Sequence, residues 1–429
     1  MTNRFPKALL TLAVLAPAIS RAEVPVLESK DAVVSVGGLT QLIGFGQHLN
    51  DSYKNNARAY LFMKESRFLA HGRYHDFQMN LEMALGGENA VSASTGVSLS
   101  LLELNVDVPL RFLGEHTYIR IGQFKVPYGR ERLTYSGASQ FLERSITDQA
   151  FRIGWDVGAA VVYHPGKFSL IGGIFTGGGR DVPPQRYLPE RLGIPQLVVR
   201  AGYGDVDDDL FALRNDLHPA ALKTAVFANA MYTKDSTVGH SSVFNVKLAE
   251  KSWMLNSNWN PYIGTSPLSK GDWWQVGGDV AIRTPLTDTT SFSGEAEFNW
   301  AGFSNDYGVV HAAGARAQGG VLVKNFEIAL RYAVVFPDKN FASGGQAIAS
   351  NGDPIHEITP SLAWYISGQN LKLVADMPIL VRVPVFSEKG VGSYVSSELP
   401  DQASVLKTAG NTVGRQNIVE ARLMFQAAF

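Results

Sequence analysis

The stretch that decides the fold is FEIALRYAVVF, residues 326–336. Apolar and aromatic residues occupy every second position, and charged residues fall between them. One face would hold Phe326, Ile328, Leu330, Tyr332, Val334 and Phe336, and the other would hold Glu327 and Arg331. Because successive side chains of a β-strand point to opposite faces, the pattern predicts a strand with one apolar and one charged surface.

Other segments repeat this alternation over similar lengths. They include DFQMNLEMAL (76–85), SFSGEAEFNW (291–300) and NIVEARLMFQAAF (417–429). Strands of soluble β-sandwiches also alternate but usually have about 5–6 residues, whereas a tilted transmembrane strand needs about 9–11. Since only helices and closed barrels satisfy all backbone polar groups in lipid, the sequence predicts an all-β fold, a transmembrane antiparallel β-barrel.

Sixteen strands are predicted, an even number as in bacterial outer-membrane barrels. They are 38–47, 58–69, 73–85, 97–108, 116–124, 154–164, 167–176, 196–203, 222–233, 273–283, 289–301, 309–322, 325–336, 356–366, 370–382 and 416–429. Tight turns alternate with long polar connections, as expected for periplasmic turns and extracellular loops. The exception is 204–221, which is long where a turn is expected, so an error of two strands there or within 234–272 stays open.

The N-terminus has the pattern of a secretory signal peptide. Arg4 and Lys7 precede the apolar run 8–19. The small residues Ser20 and Ala22 occupy positions −3 and −1 of a cleavage site after Ala22. The run is shorter than the roughly 20 apolar residues of a membrane anchor. We therefore expect a signal peptide at 1–22, a short lead at 23–37 and an outer-membrane barrel at 38–429.

Composition argues against several classes of protein. The chain has no cysteine and a formal net charge of −1, which gives no support for disulfides, thiolate metal sites or a nucleic-acid partner. Asp205, Asp207, Asp209 and Asp216 have a calcium-loop spacing, but Leu210 replaces the turn glycine and favours a solvated acidic loop. No GxSxG motif is present. No metal, cofactor or catalytic site is predicted.

One segment resembles a known family. GQFKVPYGRERLT (122–134), FLERS (141–145) and RIGWDVGAAVVYH (152–164) resemble the signature of the phosphate-selective porin O and P family. The terminal Phe429 resembles the sorting signal of outer-membrane barrels. The resemblance implies a 16-stranded barrel in the outer membrane of a Gram-negative bacterium, assembled as a homotrimer. It also implies an inward-folded third loop that narrows the pore, and diffusion of small anions such as phosphate or polyphosphate.

The third long loop, residues 125–153, is the candidate pore constriction. Pro127 and Gly129 end the preceding strand, since proline removes a ladder donor and glycine favours turns. The candidate anion-interacting residues are Arg120, Lys125, Arg130, Arg132, Arg144 and Arg152. Rings of Arg or Lys in a narrow low-dielectric channel favour anions. The alternative is that these cations pair with local acids and brace the loop.

The charges predicted along the inner wall do not settle selectivity. The basic set is Arg200, Arg283, Arg316, Arg331, Lys372, Arg382 and Arg422; the acidic set is Glu82, Glu103, Asp107, Asp156, Asp279, Glu295, Glu297, Glu327, Glu357, Asp376 and Glu420. This wall is mixed and slightly acidic, so it does not predict phosphate specificity.

The function expected from the sequence is that of a porin. It would pass small hydrophilic solutes passively, with a lean toward inorganic or organic anions, while outer-membrane lipid surrounds it. The alternatives are a general non-selective porin and an adhesin or structural barrel whose long loops bind partners. A barrel hydrolase would have a smaller, filled barrel, whereas about sixteen strands leave a water-filled lumen.

Overall fold

The computed structural model describes residues 23–48, 57–87, 99–114, 116–177, 195–206, 213, 216–236, 271–305, 308–337, 354–388, 391–393 and 411–429. The predicted signal peptide, and most of the long connections at 178–194, 237–270, 338–353 and 394–410, lie outside the described residues. Within the described part, no helix has the length and apolar character of a membrane span.

The described residues form strands almost throughout. The strands are β1 Glu23–Glu28, β2 Ala32–His48, β3 Ala57–Tyr74, β4 Phe77–Gly87, β5 Ser100–Pro109, β6 Thr117–Lys125, β7 Trp155–Tyr163, β8 Phe168–Phe175, β9 Gln196–Gly204, β10 Lys223–Ser236, β11 Gly271–Thr287, β12 Thr290–Asn305, β13 Gly308–Val323, β14 Phe326–Pro337, β15 Ile355–Gln369, β16 Leu371–Asp376, β17 Ile379–Glu388, β18 Val391–Ser393 and β19 Asn411–Ala428. Strand β2 begins within the segment expected to be a lead.

From β2 to β15, each strand pairs antiparallel with the next, and β19 pairs with β2 to close the barrel. Strands β16 and β17 both pair with β15 and with β19, so together they fill one position in the wall. Strand β1 pairs with β2, and β18 pairs with β17, and neither adds a separate position to the wall. The wall therefore has sixteen strand positions among the described residues, and the predicted count is confirmed.

Among the described residues, no further strand lies in the wall where the sequence leaves the strand count open. Strand β10 pairs along its length with β9 on one side and with β11 on the other. The long connection between β9 and β10 instead reaches neighbouring parts of the barrel. Ser291 Oγ on β12 donates to the Leu217 carbonyl (2.7 Å), and His218 Nε2 lies 3.0 Å from the Lys324 carbonyl between β13 and β14.

The acidic residues of that connection are bound to basic or main-chain groups. Asp205 accepts the Thr224 N–H (3.0 Å) and pairs with Lys167 (3.2 Å), and Asp216 pairs with Lys223 (3.0 Å). Asp207 and Asp209 lie outside the described residues. The two described carboxylates therefore each have a local basic or main-chain partner.

The two faces of the wall have the opposite distribution from a soluble protein. On β14, Ile328 is 70% exposed and Leu330 55%, whereas Glu327 is 3% and Arg331 1% exposed. Apolar side chains thus point out to lipid and charged ones point in. Of the wall charges predicted to face inward, only two are not fully buried: Arg422 is half-buried and Arg382 is exposed.

The sequence also places aromatic residues near strand ends on the apolar face, where the membrane interfaces are expected. These residues are Trp155, Tyr163, Tyr232, Trp300, Tyr332, Phe336 and Trp364. The last five are exposed on the outer face, and Tyr163 is half-buried. Trp155, expected among them, is buried, and its indole Nε1 donates to Glu103 Oε1 at 3.1 Å. Trp155 is the first residue of β7, where the alternation begins, and an inward carboxylate satisfies its N–H group.

The connection between β6 and β7 is folded rather than extended. It contains two short helices, α1 Arg130–Leu133 and α2 Ile146–Phe151, and a 3₁₀ turn at Ser136–Ala138. Every residue from 126 to 153 is buried except Ser139, Arg144 and Arg152, which are half-buried. The Val126 N–H donates to the Gly154 carbonyl (3.1 Å) and joins the two ends of the segment. We call residues 126–153 the pore loop.

Candidate pore constriction

The pore loop begins with a turn that requires glycine. Gly129 has φ of 74°, in the left-handed region that favours glycine. A Cβ at this position would lie 2.8 Å from Glu297 Oε1 on β12. The glycine therefore permits both the turn into α1 and the close approach of the loop to the opposite wall.

Carboxylates of the wall accept main-chain N–H groups of the pore loop. The three bonds join Glu131 N to Glu297 Oε2 on β12 (3.1 Å), Leu142 N to Asp376 Oδ2 on β16 (3.0 Å), and Ile146 N to Glu357 Oε2 on β15 (2.8 Å). Loop N–H groups without a loop partner are satisfied in this way, as buried donors must be. The loop consequently crosses the interior and is bound to strands far from β6 and β7.

Ion pairs strengthen the same attachment. Arg130 Nε lies 2.7 Å from Asp279 Oδ1 on β11, and Arg200 on β9 shares that carboxylate. Glu131 pairs with Arg316 on β13 (3.1 Å) and with Arg331 on β14 (3.3 Å). Although burial alone would raise it, these two guanidinium groups hold the pKa of Glu131 below its ordinary value.

These contacts explain the slight acidity of the wall. Asp279, Glu297, Glu357 and Asp376 each bind a main-chain or cationic group of the pore loop. Glu327 on β14 accepts the Gln140 side-chain amide in the same manner (2.5 Å). The first four acids also pair with arginines: Asp279 with Arg130 and Arg200, Glu297 with Arg316, Glu357 with Arg331, and Asp376 with Arg422. The excess of wall acids therefore does not measure the charge that a solute meets.

The six candidate cations differ in their binding partners. Arg120 binds Asp107 through Nε (2.7 Å) and Nη2 (2.6 Å), a bidentate pair between β5 and β6. Arg130 binds Asp279, and Arg132 binds Asp148 within the loop. The half-buried Arg152 follows the last residue of α2. Bracing by acids thus accounts for Arg120, Arg130 and Arg132.

Lys125 and Arg144 differ from these three. Lys125 Nζ donates to the Leu133 carbonyl (3.4 Å), whereas Arg144 donates to the carbonyls of Glu131 and Thr134 (both 3.2 Å). Within the described residues, neither side chain forms an ion pair. Burial, together with the neighbouring Arg132, lowers the pKa of Arg144. Their carbonyl partners lie within residues 131–134, so two cations without ion pairs lie along the same stretch of loop.

Two aromatic rings and a second lysine also take part in the contacts of the candidate constriction. The Arg331 guanidinium lies 4.5 Å from the Phe141 ring centroid, and Lys125 Nζ lies 5.8 Å from that of Trp155. Lys64 on β3 pairs with Glu143 of the loop (3.7 Å). The sequence pattern does not single out Lys64, Phe141 or Trp155 for this site. Their roles depend on contacts between distant segments.

A small cavity lies between the pore loop and the wall. Glu131, Thr134 and Arg144 line it from the loop, and Glu295 on β12 and Gln318 on β13 line it from the wall. Its volume of about 20 Å³ is enough for about one water molecule. The cavity thus combines a guanidinium group with carboxylate and amide groups in a narrow space.

Known structures share the fold at low sequence identity. OmpT, an outer membrane protein of Vibrio cholerae, superposes with a TM-score of 0.50 at 13% identity over 93% of this chain and 99% of its own. The trimer form of OmpT gives 0.51 at 12% identity over 92% and 99%. The outer membrane channel DcaP of Acinetobacter baumannii gives 0.52 at 12% identity over 94% and 99%. No curated protein matches the sequence.

The family model described as phosphate-selective porin O and P matches residues 39–188. The match covers most of β2, all of β3 to β8, and the pore loop. It includes the motif between 122 and 164 that resembles this family. Residues 39–188 are thus similar to the phosphate-selective porin O and P family, and the described barrel has the fold of outer-membrane channel proteins.

Proposed function

We propose that this channel passes small hydrophilic solutes by passive diffusion and favours anions. The observation that carries the proposal is that Lys125 and Arg144 form no ion pair within the described residues, whereas Arg120, Arg130 and Arg132 are each compensated by an aspartate. Two positive charges without a direct carboxylate partner, in a narrow, low-dielectric passage, would raise the local concentration of anions. Selection would come from size and electrostatic bias, without a chemical step.

The anions would be small inorganic or organic ones, phosphate among them. The family name supports phosphate as a solute. The two cations supply donors to an anion, but they do not form the long series of basic groups that a strong preference for phosphate would need. We therefore propose a moderate anion preference.

Export and assembly complete the proposal. Residues 1–22 would direct the chain across the inner membrane and be removed after Ala22. A homotrimer in outer-membrane lipid would be the functional state, in keeping with the family and with the trimer form of the similarly folded OmpT.

The proposal is tested by the zero-current potential of the purified protein in a planar bilayer under a KCl gradient. We expect stepwise conductance and a zero-current potential whose sign shows a preference for chloride. Adding phosphate should lower the chloride current. A neutral or cation-favouring potential would instead establish a general porin. Absence of any conductance would point to a barrel whose long connections bind partners.

A further inference from the structure

We propose that the cavity beside the pore loop selects zwitterionic solutes, with an ammonium group held at Glu295 and a carboxylate held at Arg144, as a small amino acid would present them. This inference rests on the proposed channel function, and it names a solute class that the anion preference alone does not give. Its evidence is the donor and acceptor inventory of the cavity lining.

Glu295 has one occupied and one unoccupied carboxylate oxygen. Its Oε2 accepts from Nη1 and Nη2 of Arg316, both at 3.2 Å. Its Oε1 is buried and has no hydrogen-bond partner in the described structure. A buried acceptor without a partner costs about 1–3 kcal/mol, so this oxygen is a site at which a donor would bind favourably.

Gln318 supplies a second acceptor to the same cavity. Its side-chain Nε2 donates to Gln140 Oε1 at 3.4 Å, which fixes the orientation of the amide. Its Oε1 is buried and lacks a hydrogen-bond partner in the described structure, as Glu295 Oε1 does. Two acceptors therefore border one small space, and a single group with more than one N–H donor could bind both.

Size and donor count favour an ammonium group in that space. The cavity has a volume of about 20 Å³, which is room for about one water molecule. A primary ammonium is a compact point charge with three N–H donors. It can replace one water molecule and donate to both Glu295 and Gln318. A carboxylate in that position would meet Glu295 as a like charge.

Arg144 provides the complementary half of the site. It lines the same cavity and is one of the three half-buried residues of the pore loop. Its Nε and Nη2 donate to loop carbonyls, which hold the group in place. A guanidinium forms short, charge-assisted hydrogen bonds to a carboxylate. The cavity thus offers each end of a zwitterion an oppositely charged partner.

Neither a simple cation nor a simple anion matches both groups. A cation would bind Glu295 but must pass Lys125 and Arg144, and an anion would bind Arg144 but is repelled by Glu295. A zwitterion has no net charge and interacts favourably with both sides. We therefore expect glycine to permeate faster than an uncharged solute of the same size.

The test compares glycine with its uncharged isomer glycolamide in liposome swelling. For the wild-type protein, we expect the glycine rate to exceed the glycolamide rate several-fold. Glu295→Gln, which retains shape and an acceptor for Arg316, should bring the ratio close to one. Arg144→Gln should do the same, and it decides the question if the first variant does not assemble. The matched control Glu103→Gln, on β5, should keep the wild-type ratio.

Two results separate this inference from the channel function. A glycine-to-glycolamide ratio near one in the wild type, or a ratio unchanged in both Glu295→Gln and Arg144→Gln, would overturn the zwitterion site while chloride conductance in bilayers persists. Absence of both swelling and conductance would instead overturn the proposed channel function.

Discussion

Replacing Asp279 with alanine is expected to raise the single-channel conductance several-fold and to lower the thermal unfolding midpoint. Asp279 is shared by Arg130 of the pore loop (2.7 Å) and Arg200 of β9 (2.5 Å). Without it, two buried guanidinium groups lose their counter-ion, and breaking such a pair costs about 3–5 kcal/mol. The start of the loop should detach from β11 and widen the passage. Planar-bilayer recording and a melting curve followed by circular dichroism measure the two effects.

The matched control is Asp107→Ala. Asp107 forms a bidentate pair with Arg120, at 2.7 and 2.6 Å, between the neighbouring strands β5 and β6. Its loss should lower the unfolding midpoint to a similar extent but leave the conductance unchanged. Equal conductance in the wild type and in Asp279→Ala would contradict the role assigned to this anchor, and so would equal increases in the two variants.

Removing both cations that lack a direct ion pair is expected to abolish or invert the chloride preference. The double change Lys125→Gln and Arg144→Gln deletes the two positive charges for which the described structure shows no ion pair. The acids that hold the pore loop keep their partners, so the field that remains is neutral or negative. The zero-current potential in a KCl gradient should therefore move to zero or change sign.

A charge-neutral variant controls for disturbance of the loop. Arg132 and Asp148 form an ion pair with each other inside the pore loop. Changing both, to Gln and Asn, alters the loop without altering its net charge. This variant should keep the wild-type potential. A potential that shifts equally in the two double variants would show that loop shape, and not the charge of Lys125 and Arg144, determines selectivity.

The strands could be predicted from the sequence because the wall has two unlike environments. Each side chain faces either lipid or the barrel interior. Apolar and polar residues therefore alternate in segments such as 326–336. All sixteen wall strands appear near the predicted positions. Trp155 departs from the pattern because it begins a strand, where an inward partner, Glu103, decides its orientation.

The constriction could be predicted only in part. The basic character of residues 125–153 is visible in the sequence, but the partners of these residues are not. Arg130 binds a residue 149 positions away, and Leu142 N binds one 234 positions away. Such contacts cross the barrel interior and do not follow the register of neighbouring strands. The alternation of residues along the sequence therefore does not reveal them. A count of wall charges could not show that several acids bind the pore loop.

The most direct test of the central claim, that the pore loop lies in the permeation path with Arg144 facing it, uses the absence of native cysteine. A single cysteine at position 144 is treated with a negatively charged, water-soluble thiol reagent during bilayer recording. The account predicts that labelling reduces the current and the chloride preference. Cysteine at the lipid-facing position of Ile328, which is 70% exposed, should leave the current unchanged. Complete labelling at position 144, verified by mass, without a change in current would contradict the account.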